Sequence, residues 1–159
     1  MFYLALVIIG VSVLADQVLK WVVTNTLEIG QTVPLIDGVF HFTYIRNHGA
    51  AFSILQNQQL FLVLVTAAIT VILLIFLYRT RNNNNLLMKI SIPLIIGGGI
   101  GNLIDRIRLG YVVDYLDFRL IHFPVFNFAD CCVTIGAGLL IIGILTWDDG
   151  RSLKGKQDG

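Results

Sequence analysis

The sequence predicts an all-α membrane protein with four transmembrane helices and a small β-rich extracytoplasmic cap. Hydrophobic residues make up 56% of the 159 residues and charged residues only 13%, whereas soluble domains carry about 25% charged residues. Mean hydropathy is +0.80. Four segments approach the roughly 20 apolar residues that a helix needs to cross the hydrocarbon core. Together these observations predict one integral membrane domain over residues 1–159.

The predicted spans cover about residues 1–23, 60–78, 86–107 and 128–147. The first is free of charge until Asp16, and the second has no charge. The third is interrupted by Lys89 and ends in Asp105-Arg106, and the fourth contains only Asp130. Because the start lacks a basic region and the apolar stretch continues past any small-residue cleavage site, we predict a retained helix rather than a cleaved signal peptide.

The connections between the spans differ in character. The segment from about 25 to 57 is long, and residues 39–45 alternate aromatic or β-branched residues with others, which predicts a short strand in the cap. The breakers of this segment are Gly30, Pro34 and Gly38. The connection over 108–126 is predicted to be a shorter loop, and residues 148–159 form a polar tail.

Lysine and arginine in short loops predict the orientation. The 79–89 loop has three basic residues and no acid, and the tail has three more. The opposite face holds five, namely Lys20, Arg46, Arg106, Arg108 and Arg119. We give most weight to the acid-free loop and predict that both termini are cytoplasmic. The net charge of +1 provides no basic field for a nucleic-acid partner.

Charged residues gather at the predicted outer ends of the spans. A charge inside a span costs at least about 2.5 kcal/mol, yet these ends hold Asp16, Lys20, Asp105, Arg106 and Asp130. Two more acids, Asp114 and Asp117, lie in a loop on the same face. Interfacial anchoring accounts for one such residue, but the cluster favours a functional site near the outer leaflet.

The spacing within two segments indicates which side chains share a face. Asp16 and Lys20 stand four residues apart with the acid first, which favours an ion pair. This pair either closes the first span or acts directly in the site. Asn102, Asp105 and Arg106 lie together at the end of the third span, and we expect Arg106 to be the counter-ion of Asp105.

Small residues near these motifs have simpler interpretations. The glycines within 97–101 allow close helix packing in lipid, or they leave room for a bound substrate helix. The adjacent Cys131 and Cys132 would point about 100° apart in a helix. We therefore predict small buried hydrophobic side chains rather than a disulfide or a metal site.

A pair of carboxylates is the remaining candidate for hydrolytic chemistry in this sequence. Asp130 is predicted to lie one turn into the fourth span, after Pro124, where a helix N-terminus favours the ionised form, and Asp114 or Asp105 could be its partner. Two neighbouring carboxyls share one proton, as in aspartic proteases. The chain has no H-E-x-x-H and no G-x-S-x-G motif, and we predict no metal and no cofactor. Because a counter-ion would keep Asp105 ionised, the expected Arg106 pairing is a modest argument that Asp114, and not Asp105, is the titrating partner of Asp130.

Five motifs in order resemble the bacterial lipoprotein signal peptidase family, the type II signal peptidases. They are Asp16-Gln-Val-Leu-Lys20, Arg46-Asn47-His-Gly-Ala-Ala-Phe52, Gly101-Asn102-Leu-Ile-Asp105-Arg106, Val112-Val-Asp114-Tyr115 and Phe126-Asn127-Phe-Ala-Asp130. The resemblance covers about residues 4 to 147. Tyr115, where many members have phenylalanine, is a mild departure.

The resemblance implies a membrane-embedded aspartic endopeptidase. Such enzymes remove the signal peptide from a prolipoprotein, cutting before a cysteine that carries diacylglycerol, and the cyclic peptide globomycin inhibits them. The implied catalytic pair is Asp114 and Asp130, and the implied supporting residues are Asp16, Lys20, Asn47, Asn102, Asp105, Arg106 and Asn127. We further expect a monomer surrounded by membrane lipid.

Three other classes of membrane protein predict different positions for the acidic residues or different motifs. A transporter or channel would carry acids at several depths across the bilayer, whereas here the middle of each span is apolar. An assembly subunit without catalysis would leave the outer acids unexplained. Intramembrane proteases with a G-x-G-D motif are disfavoured, because the nearest stretch reads Gly99-Ile100-Gly101-Asn102.

Overall fold

The computed structural model describes residues 2–49, 54–81, 85–121 and 123–146. These residues form four long helices, a three-stranded antiparallel sheet and a short 3-10 turn at Arg119–Ile121. In chain order the elements are α1 (Phe2–Thr26), β1 (Thr32–Ile36), β2 (Phe40–Asn47), α2 (Gln59–Arg79), α3 (Leu86–Leu109), β3 (Val112–Phe118) and α4 (Phe128–Leu145). All four helices are long and apolar enough to cross a membrane, so the predicted fold class is confirmed.

The helix boundaries lie close to the predicted spans. Helix α1 continues to Thr26 and α3 to Leu109, so both extend slightly beyond the apolar stretch. Helix α4 ends at Leu145, and the predicted tail at 148–159 lies outside the described residues. Asn85 begins α3 as its N-cap, because its Oδ1 accepts hydrogen bonds from the amides of Leu87 and Met88 at 2.9 and 3.3 Å.

Helix α3 lies at the centre of the bundle and packs against the other three helices. A Cβ atom added at Gly97 would lie 2.6 Å from Cβ of Ser12, and one at Gly101 would lie 2.5 Å from Oδ2 of Asp16. At Gly98 an added Cβ would collide with the Ala129 carbonyl oxygen. These glycines therefore serve close contact with α1 and α4, and they do not make room for a bound helix.

The outer surface of the bundle is apolar and suits lipid. Large hydrophobic side chains on α2 are exposed, among them Leu64, Ile69, Ile72 and Ile75. The buried core beneath them is a compact cluster formed by Ala5, Leu77, Met88, Ile92 and Ile96. A surface this apolar is expected where the solvent is hydrocarbon rather than water.

The two ends of the bundle differ in chemistry. Phe2, Leu77 and Met88 lie around one depression, and Gly143 is next to Leu87. The first residues of α1 and α3 and the last residues of α2 and α4 are therefore at the same end. The sheet and the charged motifs are at the opposite end, so the acids form one cluster rather than a path across the bilayer.

The cap is a sheet with strand order β1-β2-β3. Strand β2 corresponds to the strand predicted over 39–45. The prediction of a loop over 108–126 is wrong, because β3 pairs antiparallel with β2, with Asp114 opposite Ile45. Strand β3 is almost continuously buried, so it lacks the two-residue alternation that marks a half-exposed strand.

Candidate active site

Asp114 is held in the middle of β3, with 1% of its surface exposed. Both of its carboxyl oxygens accept hydrogen bonds from side-chain amides. Asn47 Nδ2 donates to Oδ2 at 2.9 Å, and Asn127 Nδ2 donates to Oδ1 at 2.6 Å. Asn47 ends the neighbouring strand β2, so sheet pairing places this donor beside Asp114.

Asp130 occupies the first turn of α4, where it forms a capping box with Asn127. The Asp130 amide donates to Asn127 Oδ1 at 2.9 Å, and the Asn127 amide donates to Asp130 Oδ2 at 3.1 Å. This reciprocal arrangement satisfies amides that the first turn of a helix leaves unpaired. Asn102 Nδ2 of α3 donates to the other carboxyl oxygen, Oδ1, at 2.8 Å.

Asn127 joins the two carboxylates. It is fully buried, its side chain contacts Asp114, and its backbone and side chain contact Asp130. Both aspartates line one pocket of about 650 Å³, which we call the dyad pocket. Its polar lining also includes Asn47, Asn102 and Arg106, and its apolar wall includes Ile45, Val112, Phe123, Val125, Val133 and Ile135.

The environment of Asp114 favours its protonated form. Burial raises the pKa of this carboxyl to about 7, and the nearby Asp130 carboxylate contributes to the increase. The amides of Asn47 and Asn127 and the charge of Lys20 oppose this shift, because they favour the ionised form. Asp114 therefore keeps its proton at a pH where an ordinary aspartate would be ionised.

Lys20 connects the acids of α1 and α3 to the dyad pocket. Its Nζ lies 2.9 Å from Asp16 Oδ2 and 2.9 Å from Asp105 Oδ2. It also donates to Asn102 Oδ1 at 2.9 Å. The predicted Asp16–Lys20 pair is confirmed, and Lys20 in addition fixes the amide that donates to Asp130.

The expectation that Arg106 neutralises Asp105 is wrong, because the counter-ion of Asp105 is Lys20. Successive residues of a helix point about 100° apart, so Asp105 and Arg106 face different neighbours. Arg106 lines the dyad pocket and donates to the carbonyl oxygens of Gly49 at 3.1 Å and Asn102 at 3.4 Å.

Asp16 and Asp105 also hold the elements of the site in place. Asp16 Oδ1 accepts from the Ala129 amide at 3.1 Å, and Asp105 Oδ2 accepts from the Val113 amide at 3.1 Å. These bonds fix the start of α4 and strand β3 against the bundle. One connected network therefore contains all nine residues that the resemblance implies.

The sequence patterns missed two contributors to this region. Gln17 Nε2 donates to Asp105 Oδ1 at 3.0 Å and to the Gly101 carbonyl oxygen at 3.2 Å, and its position beside Asp16 in the first motif was the available signal. Cys131 was expected to be buried, but it is half-exposed and lines the dyad pocket. Cys132 is buried as expected.

The sequence model of the signal peptidase (SPase) II family matches residues 8–146. The chain belongs to the signal peptidase II family. It is 46% identical to a lipoprotein signal peptidase of Halothermothrix orenii over 136 residues, covering 86% of this chain and 91% of that protein. A lipoprotein signal peptidase of Clostridioides difficile is 44% identical over 149 residues, covering 93% and 97%.

Two solved bacterial membrane enzymes share the fold of this signal peptidase II family member. One aligns with a TM-score of 0.82 and 33% identity, covering 98% of this chain and 92% of the other. The second has a TM-score of 0.80 and 35% identity, covering 91% and 94%. With its four apolar helices and these bacterial membrane enzymes as structural neighbours, the chain is a multi-pass membrane protein.

Proposed function

We propose that the chain removes the signal peptide from diacylglyceryl-modified prolipoproteins, with Asp114 and Asp130 as the catalytic pair of an aspartic endopeptidase. The observation that carries the residue assignment is the single buried asparagine, Asn127, that hydrogen-bonds both carboxylates at the wall of one pocket. Membership of the signal peptidase II family supports the substrate class. The cut falls before the lipidated cysteine.

The two aspartates divide the chemistry according to their environments. Asp130, at the helix N-terminus, is the ionised member and takes a proton from a water molecule held between the carboxyls. The water oxygen attacks the scissile carbonyl carbon while Asp114 gives its proton to the carbonyl oxygen. When the tetrahedral intermediate collapses, one of its hydroxyl groups returns a proton to Asp114 as the C=O bond re-forms, the C–N bond breaks, and Asp130 gives its proton to the leaving amine.

The remaining polar residues orient this pair. Lys20 donates to Asn102 Oδ1, and this bond orients the side-chain amide so that Nδ2, not Oδ1, faces Asp130. Arg106 lies on the pocket wall, where its positive charge is near both carboxylates. The apolar wall of the dyad pocket suits the hydrophobic signal peptide and the acyl chains of the substrate. No step requires a metal ion or a cofactor.

A direct assay tests the function. The purified chain in detergent should release the signal peptide from a diacylglyceryl-modified prolipoprotein, and globomycin should block the release. An identical substrate without the diacylglyceryl group is the matched control and should be cut far more slowly. Equal cleavage of both substrates, or no cleavage of either, would reject the proposed specificity.

The rate of cleavage should follow a bell-shaped dependence on pH. Above about 7 Asp114 loses its proton, so the rate falls, and at low pH Asp130 is protonated and no base remains. Asn47 favours the ionised form of Asp114, so Asn47→Ala should raise the pKa and move the alkaline limb to higher pH. Cleavage rates measured across pH test this, and a shift to lower pH would contradict the assignment.

The dyad end of the bundle should face away from the cytoplasm, with both termini inside. An impermeant thiol reagent should then label a single cysteine at Gln31 in the cap in intact cells, but label one at Arg81 after α2 only once the membrane has been opened. The background is Cys131→Ala with Cys132→Ala, checked for cleavage. Labelling of both positions from one side would overturn this topology.

A further inference from the structure

A second pocket, of about 580 Å³, lies where α1 and α3 reach the cap. We call it the interfacial pocket. Lys20 and Asp105 contribute to its lining from the bundle, Tyr44 and Tyr111 from the cap region, and Trp21 from the surface of α1. Its volume is in the range of about 300–1,000 Å³ that is typical of small-molecule sites. None of the dyad chemistry uses this pocket.

Two arginines that line the interfacial pocket form no ion pair with any other described residue. Among the residues that the structure describes, ion pairs join Lys20 to Asp16 and Asp105, and Arg119 to Asp117, but none involves Arg46 or Arg108. The Arg46 guanidinium lies over the Tyr111 ring, 4.7 Å from its centroid. Arg46 Nε also donates to the Tyr44 hydroxyl at 3.5 Å.

The charge of the pocket favours an anion. Lys20 lies between the carboxylates of Asp105 and Asp16, so it offers no free charge to the pocket. Among the other charged side chains that line the pocket, the two arginines, Arg46 and Arg108, outnumber the one acid, Glu28. The positive-inside rule disfavours unpaired arginines on the face opposite the acid-free loop. Of the five basic residues there, Lys20 and Arg119 form ion pairs, and Arg106 donates to two carbonyl oxygens. Arg46 and Arg108 line this pocket, and no carboxylate among the described residues pairs with either of them.

The position of the pocket indicates the source of the anion. It lies at the last turns of two membrane-spanning helices, and its rim carries the apolar side chains of Trp21, Ile29 and Leu109, which are 65%, 57% and 44% exposed. Tryptophan and tyrosine are typical of the boundary between hydrocarbon and water. A ligand with an acidic head and apolar chains would match both the arginines and the rim.

We propose that the interfacial pocket binds the phosphate headgroup of an anionic phospholipid, with Arg46 and Arg108 as its ligands. Arginine guanidinium groups bind phosphate oxygens in pairs of hydrogen bonds, and basic pockets between transmembrane helices bind lipid headgroups in the same way. The acyl chains lie along the apolar rim. The site is separate from the dyad pocket and its occupancy does not depend on cleavage.

Trp21 provides the test, because it lines the pocket and is one of two tryptophans in the chain. In a Trp147→Phe background in nanodiscs, brominated phosphatidylglycerol should quench Trp21 fluorescence more than brominated phosphatidylcholine at equal mole fraction. Arg46→Gln with Arg108→Gln should abolish this difference. Arg119→Gln, which removes a paired arginine from the same face, is the matched control and should preserve it.

Other outcomes of the quenching experiment would count against the lipid site. Equal quenching by the two lipids, or a preference that survives in the double variant, would overturn the proposal. If the double variant does not fold, Arg108→Gln alone should weaken the preference, and an unchanged preference would reject the site. Asp114→Asn should retain the preference even though its cleavage is expected to fail.

Discussion

Replacing either dyad aspartate, as Asp114→Asn or Asp130→Asn, should reduce the rate of prolipoprotein cleavage by about a thousandfold or more. The amide keeps the size of the side chain but can neither share the dyad proton nor take one from water, and general acid–base catalysis is worth about 10²–10⁴-fold. The rate of signal-peptide release by each purified variant is the measurement. Near-normal turnover by either variant would remove that residue from the dyad.

Asp117→Asn is the matched control for this experiment. Asp117 is on the same strand as Asp114, but its carboxylate accepts from Thr43 at 2.6 Å and pairs with Arg119 at 2.9 Å. It does not line the dyad pocket. The control should fold and cleave at close to the normal rate. Gel filtration in detergent should show the dyad variants intact, since each loses only one hydrogen-bond acceptor.

Lys20→Met should cause the largest loss of stability among the variants considered. The Lys20 side chain is 4% exposed and lies between the carboxylates of Asp16 and Asp105, which are 0% and 4% exposed. Removing it leaves Asp16 and Asp105 without their cation, and breaking a buried ion pair costs about 3–5 kcal/mol. The measurement is the unfolding midpoint in detergent. The cleavage rate should also fall, because Asn102 Oδ1 loses one of its two donors, Lys20 and Asn127.

Two variants show whether this loss is specific to the network. Asp105→Asn leaves Lys20 with Asp16 and Asn102, so its effect on the midpoint should be smaller than that of Lys20→Met. Lys89→Met removes a lysine at the far end of the bundle and should leave the midpoint almost unchanged. An equal loss in Lys20→Met and Lys89→Met would show that the effect comes from hydropathy rather than from the buried pairs.

The fold was predictable where a single physical signal dominates. Each span is one apolar run, so hydropathy alone located α2 between Gln59 and Arg79 to within about a residue. Strand β3 was missed for the opposite reason. Val112, Val113 and Tyr115 are all buried, and a strand that is covered on both faces has no period to detect.

The site was harder to predict because its pairs form between distant elements. The i, i+4 spacing of Asp16 and Lys20 predicted one contact correctly. The expectation for Asp105 failed because its cation comes from α1, far away in sequence. Physical reasoning also could not separate Asp114 from Asp105 as the partner of Asp130. The resemblance supplied that choice, and its catalytic role stays a prediction until the aspartate variants are measured.

The bond from the Ala129 amide to Asp16 has a consequence for the biosynthesis of the chain. It joins α1 to α4, the first and the last of the four described helices, and the start of α4 also supplies Asn127 and Asp130. A nascent chain that still lacks α4 therefore has neither the second dyad carboxylate nor the asparagine that aligns the first. With Asp114 and Asp130 as the proposed catalytic pair, chains that still lack α4 should therefore be inert towards the lipoprotein precursors around them.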